Sequence, residues 1–306
     1  MAKSLVTWNP DGVAAWAEVA PKESAVLVHS LRGFIDAGKA GALVAEHLRS
    51  RDPINIASFD IDELLDYRSR RPEMTFSVNE WTAYDEPYLD LDMVTDHAGT
   101  PFLLLHGFEP DLKWERYIKA VRDIVERLGV GLVLGAHGIP MAAPHTRPIN
   151  VTVHGTRQDL LPDIPTLFGT VTVPASAQNL MEYRFGQWDI AALNVAVHVP
   201  HYLAQSAYPQ AAQRALKGLE DISGLDLNPA GLDEASARAQ EEINRQMGES
   251  DEIQALVGVL EEQYDAFVES RGRAMPLDGE LPSADELGAE FEKFLAQQRW
   301  DQPPNA

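Results

Sequence analysis

Short apolar runs recur through the first two thirds of the chain, and most of their residues are β-branched or leucine. Six of these runs are predicted to be β-strands: residues 25–31, 54–59, 102–106, 130–134, 149–153 and 194–199. Several are apolar at nearly every position, which is typical of parallel strands that are covered on both faces. The pattern therefore predicts a mostly parallel sheet.

Helical periodicity occurs between these runs. Residues 113–128 place apolar side chains three or four positions apart, at Trp114, Tyr117, Ile118, Val121, Val125 and Leu128. Gly129 follows, at the position where a glycine commonly ends a helix. A second helix is predicted over residues 37–49, after the first strand. The alternation of strands and helices predicts an α/β fold with helices on both faces of the sheet.

The last third of the chain has a different pattern, because everything after residue 217 is predicted to be helical. Amphipathic helices are predicted over residues 251–271 and 283–298, the second opening with a capping-box pattern at Ser283 and Glu286. Gly, Asp, Asn and Pro cluster in residues 218–229, which is typical of a boundary. We therefore predict an α/β domain over residues 1–220 and an acidic helical subdomain over residues 228–300.

Charge narrows the range of partners. The 306 residues include 47 Asp and Glu against 25 Lys and Arg, a net charge of −22. Residues 217–306 contain 21 acidic and 7 basic residues, so they account for −14 of this total. Binding to nucleic acid or to anionic lipid depends on positive charge, so we expect neither partner.

Cysteine is absent from the sequence. Its absence excludes disulfides, thiolate nucleophiles and cysteine-bound zinc or iron–sulfur groups. His198 and His201 are separated by Pro200, so they do not share one helical face as zinc ligands would. We expect no metal site and no cofactor. No apolar run approaches the ~18 residues of a membrane span, and the first residues do not resemble a signal peptide, so we expect a cytoplasmic protein.

Polar residues collect in four loops that follow predicted strands, at residues 33–38, 60–72, 106–111 and 137–148. The carboxyl edge of an open α/β sheet is where ligands bind, so these loops form the candidate site. Its candidate polar residues are Asp36, Arg71, Glu109, Asp111, His145, Thr146 and Arg147. Two interpretations stay open: the side chains bind a small anion, or Arg71 and Arg147 pair with nearby carboxylates and brace the loops.

The first loop also has the spacing of a phosphate-binding loop. Gly33, Gly38 and Lys39 match the pattern G-x-x-x-x-G-K between a predicted strand and a predicted helix. Ala40 stands where a hydroxyl should hold Mg²⁺, and the carboxylate of Asp36 would repel phosphate. The alternative is a tight glycine turn in which Asp36 caps the following helix.

The four loops also contain motifs that resemble those of a known protein family. The motifs are residues 31–38 (LRGFIDAG), 66–72 (DYRSRRP), 107–115 (GFEPDLKWE) and 144–148 (PHTRP), in this order and spacing. Together with the flanking strands they span about residues 5–215. The chain resembles the proteasome assembly chaperone type-two (PAC2-like) family in its bacterial branch, whose members have a similar acidic helical C-terminal extension.

The resemblance implies a three-layer α/β/α sandwich similar to that of the purine nucleoside phosphorylases, without their catalytic residues. It also implies self-association into a ring-like or compact homo-oligomer such as a trimer. The family members understood best are non-enzymatic chaperones that bind proteasome subunits, several through a C-terminal tail of a hydrophobic residue, Tyr and any residue. This sequence ends QPPNA, so we expect no docking through such a tail.

Aromatic residues lie in stretches predicted to be irregular, namely Trp81, Tyr84, Tyr88, Phe168, Phe185 and Trp188. Aromatic side chains held in loops are candidate anchors of a subunit interface. The leading hypothesis is therefore a non-enzymatic, oligomeric chaperone-like or scaffold protein that acts on proteasome-type complexes. The alternative is an enzyme or sensor that binds a small anionic or nucleoside-like ligand at the loops.

Overall fold

A computed structural model describes residues 4–21, 24–162, 170–248 and 251–271. The strands are β1 (Val6–Trp8), β2 (Ala25–Arg32), β3 (Ile54–Phe59), β4 (Met74–Ser77), β5 (Glu80–Tyr84), β6 (Leu89–Thr95), β7 (Pro101–Phe108), β8 (Val130–Met141), β9 (Val151–Gly155) and β10 (Ala192–Pro200). The helices are α1 (Pro10–Val19), α2 (Ala40–Arg49), α3 (Trp114–Leu128), α4 (Ala177–Gln187), α5 (Pro209–Ser223), α6 (Asp233–Gly248) and α7 (Asp251–Arg271).

An eight-stranded sheet in the order β1-β3-β6-β7-β2-β8-β10-β9 forms the centre of the fold. Strands β7, β2, β8 and β10 are parallel neighbours, and β3 runs in the same direction because two antiparallel pairings separate it from β7. Strands β1, β6 and β9 run the opposite way. The sheet is thus mixed but mostly parallel, and the predicted α/β class is confirmed.

Two differences from the prediction concern strand direction and number. The run predicted at residues 149–153 becomes β9, which lies antiparallel to β10 at the edge of the sheet. Strand β6 was not predicted, because its sequence LDLDMVT alternates apolar and polar residues instead of forming a continuous apolar run. Strands β4 and β5 pair with each other in a separate two-stranded sheet.

Two hydrophobic clusters cover the faces of the eight-stranded sheet. Trp16 of α1, Tyr117 of α3 and Phe185 of α4 pack on one face. Val44 of α2 and Leu216 of α5 pack on the other face. This is the three-layer α/β/α arrangement that the resemblance implied, and a helical C-terminal region is also present.

The helices that the sequence predicted most clearly are found. The apolar stripe of α3 is buried, and Gly129 ends the helix with a φ of 70°. Helix α7 has the predicted bounds, whereas residues 283–298 lie outside the described residues. Met1–Tyr264 form one compact unit and Asp265–Ala306 a second. The boundary predicted between residues 220 and 228 begins in the last turn of α5 and ends before α6, and it stays a prediction. None of the described helices could cross a membrane.

Candidate functional site

The first loop of the candidate site is closed around the carboxylate of Asp36. Its Oδ1 atom accepts hydrogen bonds from the backbone N–H groups of Gly41 at 2.7 Å and Gly138 at 3.3 Å. Its Oδ2 atom accepts one from Ala42 at 3.0 Å. Burial raises the pKa of Asp36, although these three donors act in the opposite direction. The chain's own carboxylate therefore occupies the N-terminus of α2, where a phosphate-binding loop would hold phosphate.

Both glycines of this loop lie where a side chain would not fit. A Cβ atom at Gly33 would lie 2.2 Å from Oε2 of Glu109. Gly38 has a φ of 67° and a Cβ atom there would lie 3.0 Å from Tyr208. The Gly38 N–H also donates to the backbone oxygen of Ala204 at 2.8 Å. The loop is therefore packed against the body of the protein, and its backbone positions are set by that packing.

Glu109 is buried, with 2% of its surface exposed. Its carboxylate accepts a hydrogen bond from the backbone N–H of Phe34 at 3.0 Å and another from that of Gln178 at 3.3 Å. Gln178 lies in the first turn of α4, where a negative charge interacts favourably with the helix dipole. Glu109 thus ties the first loop to the start of α4.

Arg70 makes the brace that one of the two open interpretations assigned to Arg71. Its guanidinium pairs with the carboxylate of Asp111 and donates to the backbone oxygens of Arg32 at 3.0 Å and Glu109 at 2.9 Å. The other carboxylate oxygen of Asp111 accepts from the Asp66 N–H at 3.0 Å. Arg71 is exposed and has no ion pair or hydrogen bond among the described residues.

His145, Thr146 and Arg147 face a different part of the molecule. The backbone N–H of His145 donates to the Tyr202 hydroxyl at 2.8 Å, and burial lowers the pKa of the His145 imidazole. Thr146 and Arg147 both contact the carboxylate of Glu261 on α7. Arg147 and Glu261 are each about one third exposed, so this pair contributes at most about 1 kcal/mol to stability.

The structure therefore places the predicted residues in separate groups instead of one pocket. Gly33, Gly38, Asp36 and Glu109 hold the starts of α2 and α4, while Asp111 pairs with Arg70. The residues at 145–147 contact Tyr202 and α7. Within the described ranges, no three His, Asp or Glu side chains are placed to bind a metal ion.

A further group of polar side chains lies between the sheet and α4. His29 of β2, Asn194 of β10 and His154 of β9 lie in one row across the sheet, with Gly135 of β8 between the first two. Glu182 of α4 contacts Nδ1 of His154 at 2.9 Å and also accepts from the amide of Asn194. Together with His137 and Gln178, these residues are called the histidine cluster.

Burial sets the protonation of two members of this cluster, His29 and His137. It lowers the pKa of His29 to about 4, and burial with repulsion from His154 lowers that of His137 to about 4. Burial acts to raise the pKa of Glu182, but His154 and Asn194 outweigh it and hold that pKa below its usual value. Near neutral pH, His29 and His137 are uncharged. Among the described residues, Nδ1 of each has no hydrogen-bond partner.

The opposite face of the sheet carries Ser30, His106 and Asp92 on the adjacent strands β2, β7 and β6, in the order of a Ser–His–Asp triad. His106 Nε2 lies 2.7 Å from Asp92 Oδ2. The Ser30 hydroxyl, however, donates to the backbone oxygen of Gly41 at 2.8 Å. Nδ1 of His106, which would have to accept the serine proton, has no partner in the described part of the chain. The three side chains do not form an activated nucleophile.

Apart from Phe34 in the first loop, which is 74% exposed, the most exposed apolar side chains near the candidate loops belong to the hairpin, defined as strands β4 and β5 with the turn between them. Every residue of both strands is exposed. Phe76 is 56% exposed, Trp81 63% and Val78, in the turn, 95%. The rings of Phe76 and Trp81 touch edge to face, with centroids 5.1 Å apart.

The aromatic residues that were predicted to lie in irregular segments separate into different classes. Trp81 and Tyr84 belong to β5, whereas Phe185 is a fully buried residue of α4. Trp188 follows α4 and packs near Phe185. Phe168 lies outside the described residues. Of these residues, Trp81 and Tyr84 have the largest exposed fractions, and both belong to the hairpin.

Comparison with known proteins adds a sequence profile and related structures. The profile of the PAC2 family matches residues 30–247. A Mycobacterium tuberculosis protein of unknown function shares 45% sequence identity over 97% of this chain and 97% of its own, with a TM-score of 0.82. A Corynebacterium glutamicum protein of unknown function shares 38% identity over 87% of this chain and 99% of its own, with a TM-score of 0.81.

A more distant structure carries a functional description. A Mycobacterium tuberculosis proteasome-assembly chaperone homologue shares 21% identity over 76% of this chain and 99% of its own, with a TM-score of 0.68. At this identity the likeness shows a shared fold alone. No curated protein matches the chain.

Proposed function

This chain belongs to the PAC2 family, and from that premise we propose that it is a non-enzymatic, chaperone-like protein that binds protein partners, including its own copies, through the hairpin. The observation that carries the proposal is the exposure of Phe76, Val78 and Trp81 on a two-stranded ribbon. Two-stranded ribbons are marginally stable in water, and apolar patches of this kind commonly mark protein interfaces.

The turn of the hairpin adds a second observation. Val78 has a φ of 57°, in a region that β-branched residues rarely adopt, and it is the most exposed of the large apolar residues. A glycine at this position would remove the conformational cost, and a polar residue would remove the exposed apolar surface. A residue that costs stability in the free protein is consistent with a contact made in a complex.

The braces of the candidate loops support the same role. Arg70 and Asp111 fix the segment that leads into the hairpin, and the backbone N–H of Asp85 donates to the oxygen of Glu73 at the hairpin base. The hairpin therefore projects from a fixed base. A fixed base lowers the entropy that is lost when an interface forms.

A proteasome-type complex is the client class that we propose, with a homo-oligomer such as a trimer as the working form in the cytoplasm. The support is family membership, together with a fold shared with a proteasome-assembly chaperone homologue. Because one fold hosts many functions, this choice of client rests on analogy. The hairpin is the proposed contact.

The test compares a hairpin variant with a matched surface variant. Phe76→Ser combined with Trp81→Ser removes the apolar rings, while Tyr183→Ser removes a ring on α4 that is 62% exposed. We expect the hairpin variant to lose self-association in light scattering and to lose capture of proteasome subunits. Its circular dichroism should match that of the wild-type protein.

The control defines the outcomes that would contradict the proposal. Tyr183→Ser should keep both the oligomeric size and the captured subunits. Retention of both by the hairpin variant would exclude the hairpin as the contact. A wild-type protein that is monomeric at micromolar concentration and captures no subunits would contradict the proposed function as a whole.

A further inference from the structure

A half-open pocket of about 510 Å³ lies between α2 and the strands β2 and β7. Arg32, Arg49 and Tyr88 line it, together with Glu46 and Ser50. Its volume falls within the range of small-molecule sites, about 300–1,000 Å³. None of these residues belongs to the hairpin, and the one link to the loop braces is the backbone oxygen of Arg32, which accepts from Arg70.

Two arginines converge on one aromatic ring in this pocket. The guanidinium of Arg32 lies 5.9 Å from the centre of the Tyr88 ring and 5.6 Å from that of Phe108. The guanidinium of Arg49 lies 5.5 Å from the Tyr88 ring and donates to the Tyr88 hydroxyl at 3.4 Å. Such stacking holds both cations in place without neutralising their charge.

The acids near the pocket do not neutralise both cations. In the described part of the chain, the Arg32 guanidinium has no ion pair or hydrogen bond. Arg49 Nε lies 3.6 Å from Asp92 Oδ2, and this buried nitrogen has no hydrogen-bond partner there. Asp92 is itself occupied, because it accepts from Asn55 at 3.1 Å and contacts His106 at 2.7 Å.

Glu46 is the remaining acid that lines the pocket, and it is exposed. Arg32 and Arg49 face two carboxylates, the exposed Glu46 and Asp92. Because Asp92 is also held by Asn55 and His106, an anion can still bind here in a protein whose net charge is −22. Guanidinium groups bind phosphate through several charge-assisted hydrogen bonds, and a pair of them favours a dianion over a carboxylate.

We propose that this pocket binds a sugar monophosphate of hexose size, with the phosphate between Arg32 and Arg49 and the hydroxyls toward Glu46 and Ser50. The Glu46 carboxylate can accept hydrogen bonds from sugar hydroxyls, and the Ser50 hydroxyl can donate or accept. The inference is independent of the proposed function, because the ligand site and the hairpin share no residue.

Calorimetric titration of the full chain tests the proposal with glucose 6-phosphate as the probe. We expect glucose 6-phosphate to bind, inorganic phosphate to bind at least tenfold more weakly, and glucose not to bind. Arg32→Gln should lower the affinity for glucose 6-phosphate about tenfold or more, because it removes one charge-assisted contact. Arg71→Gln is the matched control, since Arg71 is an exposed arginine near the same edge of the sheet.

Three results would overturn the proposal. Equal affinity for glucose 6-phosphate in the Arg32→Gln and Arg71→Gln variants would place binding elsewhere. Equal affinity for inorganic phosphate and the ester would indicate an adventitious ion only. The absence of heat with all three probes at millimolar concentration would exclude the site. Unchanged circular dichroism and melting temperature of Arg32→Gln would show that any loss of affinity does not come from unfolding.

Discussion

The candidate loops and the hairpin are neighbours along the chain, yet they use their side chains in opposite ways. In the loops, the carboxylates of Asp36 and Glu109 face inward and accept backbone N–H groups. In the hairpin, the rings of Phe76 and Trp81 face outward without covering a core. Polar residues that resemble a binding site thus form a framework, while apolar residues are available to a partner.

The comparison also separates the stability of the protein from its proposed recognition. A buried carboxylate that satisfies backbone donors contributes to folding, and its loss leaves those donors unpaired. An exposed apolar side chain contributes little to folding and can contribute much to an interface. Changes in the loops should therefore lower stability, and changes in the hairpin should lower association. Four predictions follow from this division.

Acid should act on the body of the protein and leave the hairpin, which has no histidine, unaffected. The pKa values of His29 and His137 fall from 6.5 in the unfolded chain to about 4 in the folded protein. The unfolded chain binds more protons in this window, so stability is lost as the pH drops from 6.5 to 4. Each pKa unit corresponds to about 1.4 kcal/mol, which makes this the largest expected effect.

Urea unfolding at several pH values between 7.5 and 4 measures this loss. His137→Gln should flatten the pH dependence, because it removes one of the two buried imidazoles. The pKa values of Glu182 and Asp92 are lowered in the folded protein, so these carboxylates lower the stability only when the pH falls below their pKa values in the unfolded chain. They therefore do not account for a change near pH 5. A free energy of unfolding that is constant from pH 7 to pH 5 would contradict the prediction.

Glu109→Ala should be the most damaging single change in the loops. It removes the acceptor of the Phe34 and Gln178 N–H groups and the negative charge at the start of α4. We expect the free energy of unfolding to fall by about 3 kcal/mol. Glu109→Gln, which keeps the size and one acceptor, should lose less. A melting temperature of Glu109→Ala equal to that of the wild type would show that water replaces the carboxylate.

The pair Arg70 and Arg71 provides an internal control for the brace. Arg70→Gln breaks the pair with Asp111 and the contacts with two backbone oxygens, and should cost about 1–2 kcal/mol. Arg71→Gln should change the free energy of unfolding by less than about 0.5 kcal/mol, because its side chain is exposed. Chemical denaturation of both variants measures the difference. Equal losses would mean that Arg71, as the sequence suggested, also braces the loop.

Val78→Gly should have the smallest effect on stability, with the opposite sign. It relieves the positive φ of a β-branched residue, and the gain is reduced by the entropy of glycine in the unfolded chain. We expect the free energy of unfolding to rise by up to about 1 kcal/mol while self-association weakens. A variant with lower stability and unchanged self-association would contradict the claim that the hairpin serves association and the loops serve stability.

The regular parts of the fold could be predicted from the sequence. Helix α3 has six apolar positions on one stripe, and the central strands are apolar on both faces, so local periodicity identifies each element. Strand β6 was missed because its alternating leucines and aspartates have a different signature from its parallel neighbours. The hairpin was missed because its side chains are exposed on both faces, without a pattern of burial.

The sequence could predict which residues belong to the candidate site, but not the contacts that they make. The sequence identified Asp36, Glu109 and Asp111 as residues near one edge of the sheet, and all three lie in loops that follow strands running in one direction. It could not identify their partners. The choice between Arg70 and Arg71 depends on which side chain of a turn faces Asp111, and the contact of Arg147 with Glu261 joins residues 114 positions apart.

The sequence by itself determined the fold class, the family and the acidic charge of this protein, because each of these follows from composition, periodicity or local motifs. Only the tertiary structure decided that the motif carboxylates serve as braces, that His29 and His137 are buried, and that Arg32 and Arg49 meet at Tyr88. The physical reason is that periodicity is a property of neighbours along the chain. Hydrogen bonds, desolvation and the convergence of charges instead depend on distances between residues that the fold alone brings together.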